Sequence, residues 1–461
     1  MKPLAHINHH FVKPEIRSSG TLSFWRFFLR YPIFLLAFGP PILRPTAGID
    51  ATKGIIDFWS VLQVVWIGAI GARAIYRLAN EKSIQMPRQV RSVYRYVFLL
   101  GLLFLFSATY SPSRSVSAAY AFLYFLTMIS FVEFIVDVYR NPPDWMQCLI
   151  HLRMVFFLLF LLVLAILPFF PTLIMVLIPG VGLRLGGGVV APVTVICPAI
   201  ALISLYTFLH ALESKARSAF FFMVGIGGTF VTQSRGAEIS LLASMMLVGL
   251  IWARSGRRNN YLFIASSFAT ILLSAAALAV IGGGRLWTLF NRGQSIQGIE
   301  SASGRTDIWK FVLHYCMAHP MGMGYIAGFR VIFREYYTLG LQVDPTHIGN
   351  AHNTFLEVLA DAGWLALAVY LLILGKIMFL GWRYARKRTI FSVASDDRTR
   401  NALRCAMVLL FSCLATGMES ADFDVPLRSP FYLQNIYIAI ILGISVGMIA
   451  ASRNRHRGLS G

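Results

Sequence analysis

His352 and Asn353 stand directly before a long apolar stretch, in a position where their side chains could do chemistry. Thr354 and Glu357 form a T-x-x-E capping box, which predicts that a helix begins here. The positive end of that helix would favour a neutral imidazole and an anionic ligand nearby. A neutral histidine is what a general base requires. The alternative is an interfacial histidine that simply hydrogen-bonds a carbonyl group.

Three arginines are predicted to face the same side of the molecule as His352. Arg235 lies at the tip of a short helical pair, Arg305 opens a helix in a large loop, and Arg184 lies in a glycine-rich loop. Arginine suits bidentate recognition of phosphate without a metal. Snorkelling or a local ion pair is the competing explanation for each. It is weakest for Arg235, because arms of about 15 residues are short for a ~30 Å hydrocarbon core.

Several further polar residues are weaker candidates for contacts with a diphosphate or a glycan. Asp422 and Asp424 form an outward-facing D-x-D pair that could hold a divalent cation, but pairing with Arg428 is the alternative, and we expect no metal site. Arg285 and Asn353 join Arg184 in this weaker group. Walker, HExxH, GxSxG and dinucleotide motifs are missing from any convincing context, which argues against an ATP-driven or cofactor-dependent enzyme.

The elements that must position these residues are apolar helices. Of the 461 residues, 57% are hydrophobic and only 13% are charged, whereas a soluble domain carries about 25% charged residues. Apolar runs of transmembrane length predict an all-α polytopic membrane protein with about 12 spans. We place them at 26–46, 55–74, 94–110, 117–138, 148–169, 192–209, 219–234, 237–253, 261–281, 354–380, 404–419 and 431–450.

The distribution of basic residues predicts the orientation of these spans. The net charge of +21 falls mainly on loops at 75–93, 210–218, 253–260 and 381–403. The positive-inside rule explains this pattern without a nucleic-acid partner, and it places both termini in the cytoplasm. The five cysteines form no CxxC pair, so neither a metal site nor a disulfide framework is indicated.

One loop interrupts the regular spacing of the spans. We divide the chain into a nine-helix part of the bundle over 1–281, a large loop on the outer side over 282–353, and a three-helix part over 354–461. A loop of this length is either functional or disordered, and this one is too rich in aromatic and aliphatic residues for disorder. Its stretch "RTDIWKFVLHYCM" is predicted to be a helix with Ile308, Trp309, Val312, Leu313 and Cys316 on one face.

Four stretches resemble the O-antigen ligase/polymerase family of bacterial envelope glycosyltransferases. "TQSRGAEISLL" is similar to the family's S-R-G-A helix start, and "GRTDIW" to its G-R-x-x-x-W loop motif. "AHPMGMGYIAGF" resembles its H-P-x-x-G-x-G segment. "AHNTFLEVLADAGWLALAVYLLIL" resembles its H-N helix, with the H-x10-G spacing from His352 to Gly363. The resemblance covers about 200–385, and the four stretches occur in the family's order.

The resemblance implies a GT-C-like, metal-independent transferase in the bacterial inner membrane, with its active site facing the periplasm. The donor would be a glycan on undecaprenyl diphosphate, and the acceptor lipid A–core or a second lipid-linked repeat. Carried onto this sequence, Arg235 and Arg305 would bind the diphosphate, and His352 would activate the acceptor hydroxyl. Glu238 stands where the family more usually has an apolar residue, and its pairing with Arg235 would weaken that arginine as a phosphate ligand.

Other functions remain open at the level of sequence. Ligase and polymerase activities are not separated by these motifs. A flippase for lipid-linked oligosaccharides, or another polysaccharide transporter, is the alternative from a different class. Transporters more often show internal repeats and ionisable residues near mid-membrane, whereas the polar residues here gather at the outer face. A structural envelope scaffold would leave Arg235 unexplained.

Overall fold

The structure is a computed structural model that describes fifteen parts of the chain: residues 30–33, 58–80, 88–140, 143–169, 175–178, 182–185, 187–232, 234–253, 305–326, 328–329, 331–332, 351, 353–386, 394–417 and 446. Helices dominate this part of the chain. They are α1 Phe58–Ala79, α2 Arg88–Ser107, α3 Arg114–Arg140, α4 Trp145–Ile166, α5 Gly187–Leu209, α6 Lys215–Val231, α7 Arg235–Ala253, α8 Arg305–Ala318, α9 Thr354–Arg386 and α10 Ala394–Gly417. The helical fold class is therefore confirmed.

A short antiparallel hairpin departs from the all-α prediction. Strand β1 covers Met175–Ile178 and strand β2 covers Gly182–Leu185. Arg184, predicted to lie in a glycine-rich loop, instead pairs with Val176 within this hairpin. The physical reason is visible in the sequence, where two apolar runs flank a Pro–Gly pair that favours a turn.

Nine of the twelve predicted spans coincide with described helices, and the other three (26–46, 261–281 and 431–450) fall almost entirely outside the described residues. Within that part of the chain, four helices are long and apolar enough to cross a membrane: Val90–Ser107, Arg114–Tyr139, Trp145–Ile166 and Thr354–Arg383. Val193–Leu209 and Gly236–Trp252 are shorter apolar helices. The total of about 12 spans stays a prediction.

The outer face of α9 shows why these helices need a membrane. Leu365, Leu372 and Phe379 recur every seven residues and are 61%, 55% and 64% exposed. The opposite face of α9, which includes Val369 and Ile373, is buried. A helix that is apolar on both faces suits a lipid environment, where its exposed side contacts acyl chains. The chain is therefore a multi-pass membrane protein.

Polar contacts gather at two opposite ends of the bundle. At one end, ion pairs join neighbouring helices and their connections: Arg73 and Arg77 with Glu133, Asp144 with Arg398, and Arg153 with Glu213. At the other end, the α2–α3 turn contacts the segment that follows α8, through Tyr110 with Met321 and Ser117 with Tyr325. If the spans alternate as predicted, the two residues of each contact lie on the same side of the membrane.

Candidate active site

The start of α9 is capped by Asn353. Its Oδ1 atom accepts the backbone N–H groups of Phe355 at 2.9 Å and Leu356 at 3.2 Å. The predicted helix start is thus confirmed, but the predicted capping box is wrong, because Asn353 supplies the cap instead of Thr354. A short polar side chain just before the first helical residue satisfies two amides that would otherwise lack partners.

Glu357 reaches back from the first turn of the helix to Ala351. The backbone N–H of Ala351 donates to Oε1 of Glu357, and both residues are buried. The carbonyl of the same Ala351 accepts the indole N–H of Trp309 in α8 at 2.9 Å. Two of the four motif stretches, "GRTDIW" and "AHNTF", therefore meet at Ala351. His352 itself lies outside the described residues, between the anchored Ala351 and the capping Asn353.

The helix α9 is broken at Ala362 and Gly363, eight residues after its start. Ala362 has φ −143° and ψ 19°, and Gly363 has φ 77° and ψ −171°, a region that only glycine adopts without strain. The break frees backbone groups that the "HPMGMG" segment then satisfies, as buried polar groups require. The bonds run from Met323 N to Ala360 O, from Gly324 N to Asp361 O, and from Trp364 N to Pro320 O.

The third motif stretch lies between the break in α9 and the α2–α3 turn, and its residues Tyr325 and Ile326 are held from both sides. Asp361 is buried, and its Oδ1 accepts the backbone N–H of Ile326 at 2.8 Å. From the other side, Ser107 Oγ accepts the N–H of Tyr325 at 2.9 Å, and Ser117 Oγ donates to the Tyr325 carbonyl at 2.6 Å. The third motif stretch is thus fixed by side chains from three helices.

Helix α8 packs on α9 through a narrower face than predicted. Ile308, Val312 and Cys316 are buried, which is the four-residue spacing of one helical face. Leu313 is 40% exposed, so its predicted place on that face is wrong. Burial, with a smaller contribution from Asp361, raises the pKa of the Cys316 thiol to about 12, which leaves it without the thiolate that a nucleophile needs.

The start of α7 carries Arg235 as its first residue. Helices α6 and α7 have 17 and 19 residues and are joined by residues 232–234, so the short helical pair is confirmed. Gly228 on α6 lets that helix approach α5 closely, because a side chain there would meet Cys197. The hydroxyl groups of Ser240 and Thr416 are hydrogen-bonded and tie the first part of α7 to α10.

Other hydroxyl groups lie near the hydrogen bond between Ser240 and Thr416. A narrow cleft between α5 and α10 is lined by Thr194, Val195, Pro198, Ala199, Leu409, Ser412, Cys413 and Thr416. Helix α10 packs against both α7, which begins at Arg235, and α9, which follows His352.

Of the remaining predicted site residues, some lie within the described residues and others do not. Arg305 is the first residue of α8, and Arg184 lies on β2, as described above. Arg285, Asp422 and Asp424 lie outside the described residues. Among all the residues that the structure describes, no group of three or more His, Cys, Asp and Glu side chains could hold a metal ion.

Sequence reasoning missed Asp361, which holds Ile326 near the break in α9, and assigned Glu357 only to a capping box with Thr354. Glu357 and Asp361 lie four residues apart on that helix and are both buried. The signal was present in "LEVLADAG", because ionisable residues inside an apolar stretch are costly and usually have a specific role.

Residues 219–371 match the family model described as O-antigen ligase. The match begins in α6 and ends within α9, and it contains the first three motif stretches and the fourth as far as Leu371. It confirms the resemblance drawn from those stretches. Among curated proteins, no match to the sequence was found.

Proposed function

We propose that the chain, whose residues 219–371 match the O-antigen ligase family model, is a membrane glycosyltransferase. In this proposal it moves a glycan from undecaprenyl diphosphate to an acceptor sugar at the periplasmic face of the bacterial inner membrane. The acceptor is either lipid A–core, which makes the chain a ligase, or a lipid-linked repeat of O-antigen or exopolysaccharide, which makes it a polymerase.

One observation carries the proposal beyond the family match. The residues on both sides of His352 are held by the surrounding fold: Ala351 by contacts from α8 and α9, and Asn353 by its role as the cap of α9. Flanking residues that are held by several hydrogen bonds are a suitable support for a base, because the geometry of proton transfer must be maintained.

The proposed chemistry is a single displacement. His352 takes the proton of the acceptor hydroxyl as its oxygen attacks the anomeric carbon, and the bond from that carbon to the diphosphate breaks. Arg235 and Arg305 neutralise the charge on the departing diphosphate, which is already a good leaving group. Inversion at the anomeric carbon follows, without a metal. Arg184, Arg285, Asn353, Asp422 and Asp424 are weaker candidates for contacts with the glycan or the diphosphate.

Transfer measured with purified protein in lipid nanodiscs tests this assignment. We expect His352→Ala and Arg305→Ala to lower the turnover of a lipid-linked donor by about 100-fold or more. His314→Ala on the exposed side of α8 and Arg383→Ala near the far end of α9 are matched controls that should retain activity. Normal turnover in both site variants, at normal abundance, would mean that the proposed site is wrong.

A deletion strain distinguishes the activities. Core lipid with at most one repeat, or loss of high-mass exopolysaccharide, would indicate a polymerase. Unmodified core, with long chains retained on the lipid carrier, would indicate a ligase. An unchanged glycan profile would favour the transporter alternative.

A further inference from the structure

The peptide groups of Ala351 are held more firmly than capping of α9 requires. Asn353 already satisfies two amides at the start of the helix. Glu357 nevertheless places a carboxyl group that is only 1% exposed against the N–H of Ala351. Burying an ionisable side chain carries a desolvation cost, so a further role for this contact is expected.

The second contact acts on the peptide that leads into His352. The carbonyl of Ala351 belongs to the peptide plane whose nitrogen is that of His352, and this carbonyl accepts the indole N–H of Trp309. Because a peptide unit is planar, fixing its oxygen also fixes the plane of the peptide bond that follows Ala351. On the following side, Asn353 is fixed by the amides that it caps.

The same contact links two of the proposed catalytic positions. Trp309 lies four residues after Arg305 in α8, which corresponds to a rise of about 6 Å along the helix. The bond to Ala351 therefore sets the distance between the start of α8 and the residue before His352. We infer that Glu357 and Trp309 are positioning residues that clamp the Ala351 peptide and thereby orient His352; this inference rests on the proposed function.

A spin label on the His352→Cys variant tests the clamp directly. The five native cysteines are all buried, so the introduced thiol is the accessible one for a nitroxide reagent. Glu357→Gln keeps an oxygen that can accept the Ala351 N–H, and its spectrum should match that of the parent. Glu357→Leu removes the acceptor, Trp309→Phe removes the indole donor while keeping an aromatic ring, and both should add a mobile component. Trp382→Phe, near the far end of α9, is the control.

Spectra without a mobile component in both Glu357→Leu and Trp309→Phe would overturn the inference. Two variants are used because Glu357→Leu alone could perturb folding, whereas Trp309→Phe retains an aromatic ring against α9.

Kinetics with His352 intact provide the second readout. Misplacement of a catalytic group by about 1 Å costs roughly 100-fold, so we expect kcat to fall by about 10- to 100-fold in Glu357→Leu and Trp309→Phe, with little change in KM for the donor. Near-normal kcat in Glu357→Gln would support positioning. A loss in Glu357→Gln equal to that in Glu357→Leu would overturn it, because the charge of the carboxylate would then act in the reaction. A wild-type protein without transfer would refute the proposed function, while the spin-label spectra would still decide whether the clamp exists.

Discussion

Replacement of Gly363 by alanine should destabilise the protein through one well-defined contact. Gly363 has φ 77° and ψ −171°, and a Cβ atom added there would overlap the carbonyl oxygen of Pro320 and lie 2.6 Å from the carbonyl carbon of Met321. These neighbours are backbone atoms, so they cannot move aside as the end of a flexible side chain could. The added methyl group must therefore displace the 320–324 segment from α9.

The magnitude follows from the interactions that would be lost. A non-glycine residue in this region of backbone space costs about 1–3 kcal/mol. Displacement of the segment also weakens the bonds from Trp364 N to Pro320 O and from Met323 N to Ala360 O, at about 1 kcal/mol each. We expect Gly363→Ala to lower the free energy of unfolding by roughly 2–5 kcal/mol.

Gly375→Ala is the matched control, because Gly375 lies in the same helix and a Cβ there meets nothing within 4 Å. Alanine is favoured over glycine inside a helix by about 0.5–1 kcal/mol, so this variant should be neutral or slightly more stable. Unfolding of both variants would be followed in detergent micelles by tryptophan fluorescence against denaturant concentration. If Gly363→Ala unfolds at the same midpoint as Gly375→Ala, the proposed strain does not exist.

The opposite end of the bundle and the packing of α6 yield three further predictions. Arg153 is fully buried and paired with Glu213, so Arg153→Met should cost about 3–5 kcal/mol in unfolding free energy; Arg217→Met, which removes a 53% exposed partner of the same carboxylate, should cost less than about 1 kcal/mol. Burial disfavours the ionised form of Glu213, but the hydrogen bond and charge of Arg153 outweigh it and lower the pKa of this carboxyl. The stability that Glu213 contributes is therefore fully present above its unfolded pKa of about 4.3, and it is lost as the pH falls through the lower pKa of the folded protein. Unfolding curves recorded between neutral and acidic pH would measure this loss. Gly228→Ala should destabilise the protein by about 1–3 kcal/mol, because its Cβ would overlap a cysteine side chain of α5. Gly227→Ala has open space around the added Cβ and should not destabilise the protein. Melting curves of the two variants provide the comparison.

Much of the helical architecture could be predicted from hydropathy. The span predicted at 148–169 corresponds to the helix Trp145–Ile166, and the short pair around Arg235 was located correctly. Apolar runs reveal such helices because a membrane span needs about 20 apolar residues in succession. The β-hairpin was missed because its strands have four residues each, too few for a periodicity to stand out.

The contacts within the site were less accessible to sequence reasoning. The pattern T-x-x-E correctly predicted a helix start, but it could not show that Asn353 caps the helix, since both residue types are good caps. The pairing of Trp309 with Ala351 joins residues that are 42 positions apart. Such long-range contacts depend on how the loop folds back on the bundle, and local sequence patterns carry little information about them.

The spacing of ten residues between His352 and Gly363 has a geometric explanation in this fold. It encloses a helical stretch from Thr354 to Asp361, bounded by the Asn353 cap and the break at Ala362 and Gly363. Eight helical residues make a spacer about 12 Å long. Loop segments are fixed at both of its ends, by Trp309 at the start and by the 320–324 segment at the break. Each residue added to or removed from this spacer would turn one end relative to the other by about 100°, so both attachments can be kept only at one length. The glycine and the histidine of the motif are therefore coupled through the spacer, although their roles differ: one permits the break, and the other is presented at the opposite end.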